Sequence, residues 1–244
     1  PKASEYDKYS PLPKDILKGL YKKLAPFGYL NALISEECGG AGMDYISYAI
    51  IMEELGHAYA SLAYSIMLQQ FGVALAIANE GTEEQKTKFI PPILSGDKRS
   101  CLAISEPNVG SAARDIDATA VLDGDSYVIN GTKCWITNGT YADIATVYAL
   151  TEADDGKKEM TCFIVDREQS NFTTIDYPKL GLRSCPTAEL IFENCRVPKE
   201  NMLGKMGKGY NVALQSFQMI RTTISAIAVG NAQAAIDCAI GYAK

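Results

Sequence analysis

The stretch Ser126-Tyr127-Val128-Ile129-Asn130-Gly131-Thr132-Lys133-Cys134-Trp135-Ile136-Thr137 decides how the chain is read. Two β-prone runs flank Asn130-Gly131, the dipeptide that favours a tight hairpin because both positions tolerate positive φ. Strands at 126–129 and 133–137 joined by that turn are therefore expected. Outward from them, short β-rich runs recur at 145–150, 161–165, 172–175 and 188–192, separated by turn residues and with no helical period between. Such spacing makes an antiparallel barrel or sandwich, not a parallel nucleotide-binding sheet.

On either side the period changes. Upstream it is helical from Pro13 to about Gly96: an amphipathic helix at 15–24 closed by Pro26 and Gly28, and Asp44 as N-cap of a helix through Leu55. A nearly all-apolar helix follows at 62–78, then one opened by Thr82 with Gln85 three residues on, a capping box. Downstream of Pro198, Phe217, Ile220, Ile224 and Ile227 recur at threes and fours as the apolar stripe of a long helix. The expected fold is α+β and multidomain. It has a helical N-terminal domain over 1–98, an antiparallel β-barrel or sandwich middle domain over 99–198, and the start of a C-terminal helical bundle over 199–244. The chain opens on Pro1 and is still helical at Lys244, so it reads as truncated at both ends.

Composition narrows the function. Of 244 residues, 47% are hydrophobic and 21% charged, as in globular proteins. A net charge of -6 without a basic run argues against nucleic acid. Ser65, Gln69 and Gln70 interrupt the most apolar stretch, so neither a membrane span nor a targeting peptide is expected. Seven cysteines form no CxxC pair and read as reduced thiols of a bacterial cytoplasm or a mitochondrial matrix. His57 is the only histidine, which argues against an ordinary zinc site and leaves it a structural role. No metal site is expected.

Two loops carry chemistry. Leu102-Ala103-Ile104-Ser105-Glu106-Pro107-Asn108-Val109-Gly110-Ser111 starts as a strand and opens into hydroxyls and free amides that suit an anion. Asn130-Gly131-Thr132-Lys133-Cys134-Trp135-Ile136-Thr137-Asn138-Gly139 holds the only tryptophan, with Thr137 two residues on and on the same strand face. An indole beside a hydroxyl can flank a flat heterocycle and bond its edge. The bland alternative is a core indole and a solvated threonine. Two glycine runs carry nothing. Gly204-Lys205-Met206-Gly207-Lys208-Gly209 lacks the Lys-Ser/Thr of a phosphate loop, and Cys38-Gly39-Gly40-Ala41-Gly42 lacks dinucleotide spacing.

In order along the chain these blocks resemble the acyl-CoA dehydrogenase family over essentially its whole length. Ser105-Glu106-Pro107-x-x-Gly110-Ser111 is similar to its T/S-E-P-x-x-G-S-D signature, and Asn130-Gly131-x-Lys133-x-Trp135-Ile136-Thr137-Asn138 to its N-G-x-K-x-W-I-T-N signature. Glu36-Glu37-Cys38-Gly39-Gly40, Gly81-Thr82-Glu83-Glu84-Gln85-Lys86, Lys179-Leu180-Gly181-Leu182-Arg183 and Val197-Pro198-Lys199-Glu200-Asn201 support it, as does Arg221 ahead of Ala228-x-Gly230-x-Ala232-Gln233. Ala112 departs from the usual aspartate, and Asn108-Val109 from a usual small pair.

The resemblance implies a flavoenzyme that uses FAD to convert an acyl-CoA thioester to 2-enoyl-CoA and passes electrons to an electron-transferring flavoprotein. By it, backbone groups of Leu102, Ala103 and Ile104 with the hydroxyl of Ser105 contact the flavin; Trp135 and Ile136 pack against it, and Thr137 bonds near its N5. Ser111 sits where substrate and FAD pyrophosphate approach, and Gln218 and Arg221 line the CoA channel. The catalytic base is expected beyond Lys244, and a homodimer or tetramer in the parent protein. Alternatives on the same scaffold are an acyl-CoA oxidase or an enoyl-CoA reductase. A non-catalytic CoA-binding fragment is a third.

Overall fold

The computed structural model describes residues 3–153 and 156–244. The helices are α1 (Ala3–Tyr6), α2 (Lys14–Leu24), α3 (Tyr45–Gln69), α4 (Leu75–Glu80), α5 (Glu83–Leu94) and α6 (Gly209–Ala243). The strands are β1 (Ser100–Ala103), β2 (Thr119–Asp123), β3 (Ser126–Thr137), β4 (Ile144–Glu152), β5 (Lys158–Asp166), β6 (Thr173–Asp176), β7 (Thr187–Pro198) and β8 (Met202–Leu203). The helix, strand, helix order read from the sequence is the order found, although β8, which pairs with β5, lies past residue 198.

The strands run in the order β6-β7-β3-β2-β4-β5-β8, with β1 beside β4, and the sheet does not close into a barrel. Most pairs are antiparallel, but β4 meets β1 and, at Thr119 with Leu150, β2 in parallel. That single-residue junction is a corner. Around it Ala120, Ile129, Leu190 and Val197 from one half pack with Ala145, Val147, Phe163 and Val165 from the other, giving a sandwich-like interior. Alternate residues of β1, β4 and β5 (Leu102, Ile144, Tyr148, Cys162 and Ile164) point the other way, into the core shared with the helices.

The expected Asn130-Gly131 hairpin is not formed. β3 runs straight through it and pairs with β7 from Ser126 to Thr137, while the turn lies earlier, at Gly124-Asp125, where Asp123 faces Ser126. The positive-φ tolerance of Gly131 (φ +145) serves a register shift, because a Cβ there would collide with Ala118. Asn130 Oδ1 accepts from the Asn194 N–H at 2.8 Å across the same irregularity.

The helices are started by the expected caps. Asp44 accepts from Ile46 and Ser47 N–H, and Thr82 with Gln85 closes the capping box. Residues 45–80 form one run, bent at Tyr59 (φ -166, ψ 87) and widened into a π-helical turn at Gln70–Ala74. The π turn turns carbonyls outward. Phe71 O accepts from Ser216 Oγ at 3.2 Å, and Gly72 O from Thr146 Oγ1 at 2.6 Å.

The polar residues within this apolar run are buried and bonded. Gln69 reaches Ile93 O, Lys98 O and Ser100 N–H, and Gln70 reaches Tyr29 O, Leu33 N–H and Tyr48. They do not make the run too polar: Tyr45–Glu80 and Gly209–Ala243 are both long and apolar enough to cross a membrane. Length and composition alone do not decide on a span, because a helix buried in a protein core passes the same test. In the first helix 83% of the most apolar window is buried inside the fold, in the second 11%. Val229, Ile236, Ile240 and Tyr242 stand exposed on the second.

Candidate active site

A buried ion pair brings the two signature loops together. Lys133 Nζ lies 2.6 Å from Glu106 Oε1, with both side chains almost wholly excluded from solvent, and also donates to Ile104 O at 3.2 Å. Glu106 accepts in addition from the Asp117 and Ala118 N–H groups at 2.6 and 3.0 Å. Burial pushes the Lys133 ammonium below its ordinary range, and the Glu106 carboxylate opposes that. A backbone bond from Cys134 N–H to Ser105 O at 2.9 Å completes the clamp. The 105–111 loop is thereby sewn to the end of β3.

Asn138 holds that end of β3 from the other side. In the left-handed region (φ +66), it donates to Ser65 O and Ser100 O and accepts from Ser65 Oγ, to which Tyr21 donates in turn. A chain of four polar groups thus runs from α2 through α3 to the sheet. Their burial makes the domain junction specific, since each loses water without a substitute if the register slips.

Between the clamp and α6 lies a cleft of about 350 Å3. Its β-side wall includes Leu102, Ile104, Ser105, Ser111, Trp135, Ile136 and Thr137, and its helical wall Leu68, Tyr210, Leu214, Phe217, Ile220 and Arg221. The α6 residues recur at intervals of three and four, so they share a helix face. Gln218, about 100° around from Phe217, is outside the lining. Ala103 is also outside it, because its side chain belongs to the sheet interior. The other residues expected to bind cofactor or substrate all line this cleft. The side chains of Ser105, Ser111, Thr137 and Arg221 have no hydrogen-bond partner among the described residues, so their polar atoms are free for a ligand. Arg221 is the only charged residue in the described lining. Asp237, the nearest carboxylate of the last helix, instead pairs with His57 at 3.0 Å, tying α6 to α3 on the outside.

Trp135 reaches the cleft through a bulge rather than by simple alternation. The β3–β7 register shifts between Lys133 and Ile136, and Trp135 takes φ +59. Lys133 and Cys134 are consequently both buried, while Trp135 is 63% exposed and Thr137 still faces the same cleft. The indole stacks on Tyr177, with centroids 4.4 Å apart and planes 21° from parallel. Tyr177, Glu106 and the buried role of Lys133 do not stand out in the sequence. A lysine and a glutamate fixed inside two neighbouring motifs were the one available signal.

Residues 1–97 match the family described as acyl-CoA dehydrogenase, N-terminal domain, and residues 101–195 the acyl-CoA dehydrogenase, middle domain. The chain belongs to the acyl-CoA dehydrogenase family. It is 40% identical over 245 residues to the mitochondrial short-chain specific acyl-CoA dehydrogenase of Sus scrofa, covering 100% of this chain and 58% of that one. Butyryl-CoA dehydrogenase from Megasphaera elsdenii superposes with a TM-score of 0.90 at 34% identity, over 99% of this chain and 63% of the other. An acyl-CoA dehydrogenase from Bacillus anthracis, solved with FAD, gives 0.90 at 34%, over 99% and 41%. The chain thus spans rather more than half the length of the curated relatives it matches.

Proposed function

We propose that this chain forms the flavin- and thioester-binding part of an FAD-dependent enzyme that oxidises an acyl-CoA to the 2-enoyl-CoA. The observation that carries this reading is the convergence of the two signature loops and α6 on one cleft whose Ser105, Ser111 and Thr137 hydroxyls and Arg221 guanidinium have no hydrogen-bond partner among the described residues. The cleft suits a flat ring system: its β-side wall offers an indole and hydroxyls, and its helical wall offers apolar side chains. Bound there, FAD supplies the hydride acceptor for the substrate's β-carbon.

The chain's own residues bind and orient. Thr137 would offer a hydroxyl to the edge of the bound ring, and the Glu106–Lys133 clamp would hold the end of β3 that carries it. Leu68, Leu214, Phe217 and Ile220 exclude water from the acyl group. Arg221 attracts the anionic CoA portion. No carboxylate occurs in the described lining, so abstraction of the α-proton is assigned to none of these residues. Relatives named for short-chain and butyryl substrates support a short acyl group. Mitochondrial and bacterial relatives support a matrix or a bacterial cytoplasm. An electron-transferring flavoprotein as acceptor and a homo-oligomeric parent belong to the same reading.

FAD titration followed by anaerobic addition of butyryl-CoA tests the reading. A Kd in the micromolar range, weakened about tenfold in Thr137→Val, and bleaching of the flavin band in the parent protein are expected. A chain that takes up no FAD, or a holo-parent that no CoA ester bleaches, overturns it. Turnover with oxygen alone would replace the dehydrogenase by an oxidase.

A further inference from the structure

The indole at the cleft is fixed by something other than burial. Trp135 stands at φ +59, a region that bulky L residues seldom occupy, and most of its surface is open. The group lying flat against it is Tyr177. Tyr177 is itself held at both ends: its N–H donates to Thr187 O at 3.0 Å, and its hydroxyl to Glu189 Oε2 at 2.8 Å. Glu189 sits on β7 between Ala188 and Leu190, the register partners of Ile136 and Lys133 on either side of the bulge. The strand residue that faces the irregularity in β3 is therefore the one that anchors the ring supporting it. Burial and then the Glu189 carboxylate push the Tyr177 phenol up to about 12, so its hydroxyl remains a donor across the working pH range.

We propose that Tyr177 is a positioning residue: anchored by Glu189, its ring sets the plane in which the Trp135 indole flanks the bound flavin. The proposal rests on the flavin reading above. Three flat groups then stand in series, with phenol outermost, indole next and cofactor innermost. The outer pair carries the orientational cost before the cofactor arrives. An aromatic pair of this kind contributes roughly 0.5–1.5 kcal/mol, so its loss should weaken FAD binding by about 2- to 12-fold.

Trp135 is the only tryptophan of the chain, so intrinsic emission reports this one ring. Tyr177→Leu removes the stack and Tyr177→Phe keeps it. In the FAD-free chain, acrylamide quenching should rise about twofold in Tyr177→Leu and stay close to the original in Tyr177→Phe. With FAD, the Kd should rise by the factor above in Tyr177→Leu and be largely rescued in Tyr177→Phe. Original quenching and Kd in Tyr177→Leu overturn the proposal, as does a Tyr177→Phe variant no better than Tyr177→Leu. If the unaltered chain takes up no FAD, the flavin reading falls. The quenching arm then decides by itself whether Tyr177 fixes the indole. Should Tyr177→Leu fail to fold, Glu189→Ala removes only the anchor of the Tyr177 ring and is judged the same way: raised quenching supports the proposal and unchanged quenching overturns it.

Discussion

Replacing Lys133 by methionine tests how much of the fold depends on the clamp. The substitution leaves the buried Glu106 carboxylate without its cation, and the pair has almost no water to fall back on. Breaking one side of such a pair costs about 3–5 kcal/mol. That is a large part of the 5–15 kcal/mol that holds a typical domain together. Glu106→Met should cost more, because it strips the Asp117 and Ala118 N–H groups as well as Lys133. Each buried amide left without an acceptor adds about 1–3 kcal/mol. The decisive variant is the double one. An isolated ion pair replaced by two apolar residues is often neutral or better. Here Glu106→Met with Lys133→Met still abandons the buried Ala118 amide, while the exposed Asp117 can turn to water, so the double variant should remain about 1–3 kcal/mol below the original. Urea unfolding of the four chains measures this. A double variant as stable as the original, or a Lys133→Met loss under about 1 kcal/mol, refutes the argument that Glu106 is the hub of both loops.

Other consequences are equally measurable. Burial pushes the Cys101 and Cys162 thiols from 9.0 to about 12 and Cys185 to about 11. Between those limits the unfolded chain has released protons that the folded chain retains, so stability falls as pH rises, by up to about 1.4 kcal/mol per unit per thiol. The urea midpoint should drop steeply from pH 9.0 toward 11, and a flat profile there contradicts the burial of these thiols. Gly230→Ala should destabilise by about 1–3 kcal/mol although alanine favours helices, because its Cβ would strike the Glu53 carbonyl on α3. A higher thermal midpoint in that variant would mean that α3 and α6 lie farther apart.

What could be read in advance was set by local physics. Period-3.6 and β-rich zones appeared in their true order because each helix or strand shows its own core face in its own residues. The caps at Asp44 and Thr82 were legible for the same reason: donor and acceptor lie within three residues. Asn130-Gly131 misled because a turn and a bulge ask for the same backbone tolerance, and only the distant β7 decides between them. Trp135 and Thr137 were placed together by a two-residue period that β3 does not keep, since the bulge intervenes. Lys133 and Glu106 are 27 positions apart, and no local pattern says that two charges will meet inside the protein. Gln218 was joined to Arg221 by the resemblance alone, and on α6 it lies about 100° around from Phe217, outside the lining.

The widened turn at Gln70–Ala74 gives one stretch of helix an unusual intolerance. Removing any one residue there would yield a better helix by every local measure. It would also rotate the upstream helix by about 100° relative to the downstream one. Leu68 would swing away from the cleft, Gln69 would lose its three contacts, and the two outward carbonyls would close on their own coil. Chain length, which surface loops absorb with little harm, is at this point as specific as the identity of any side chain.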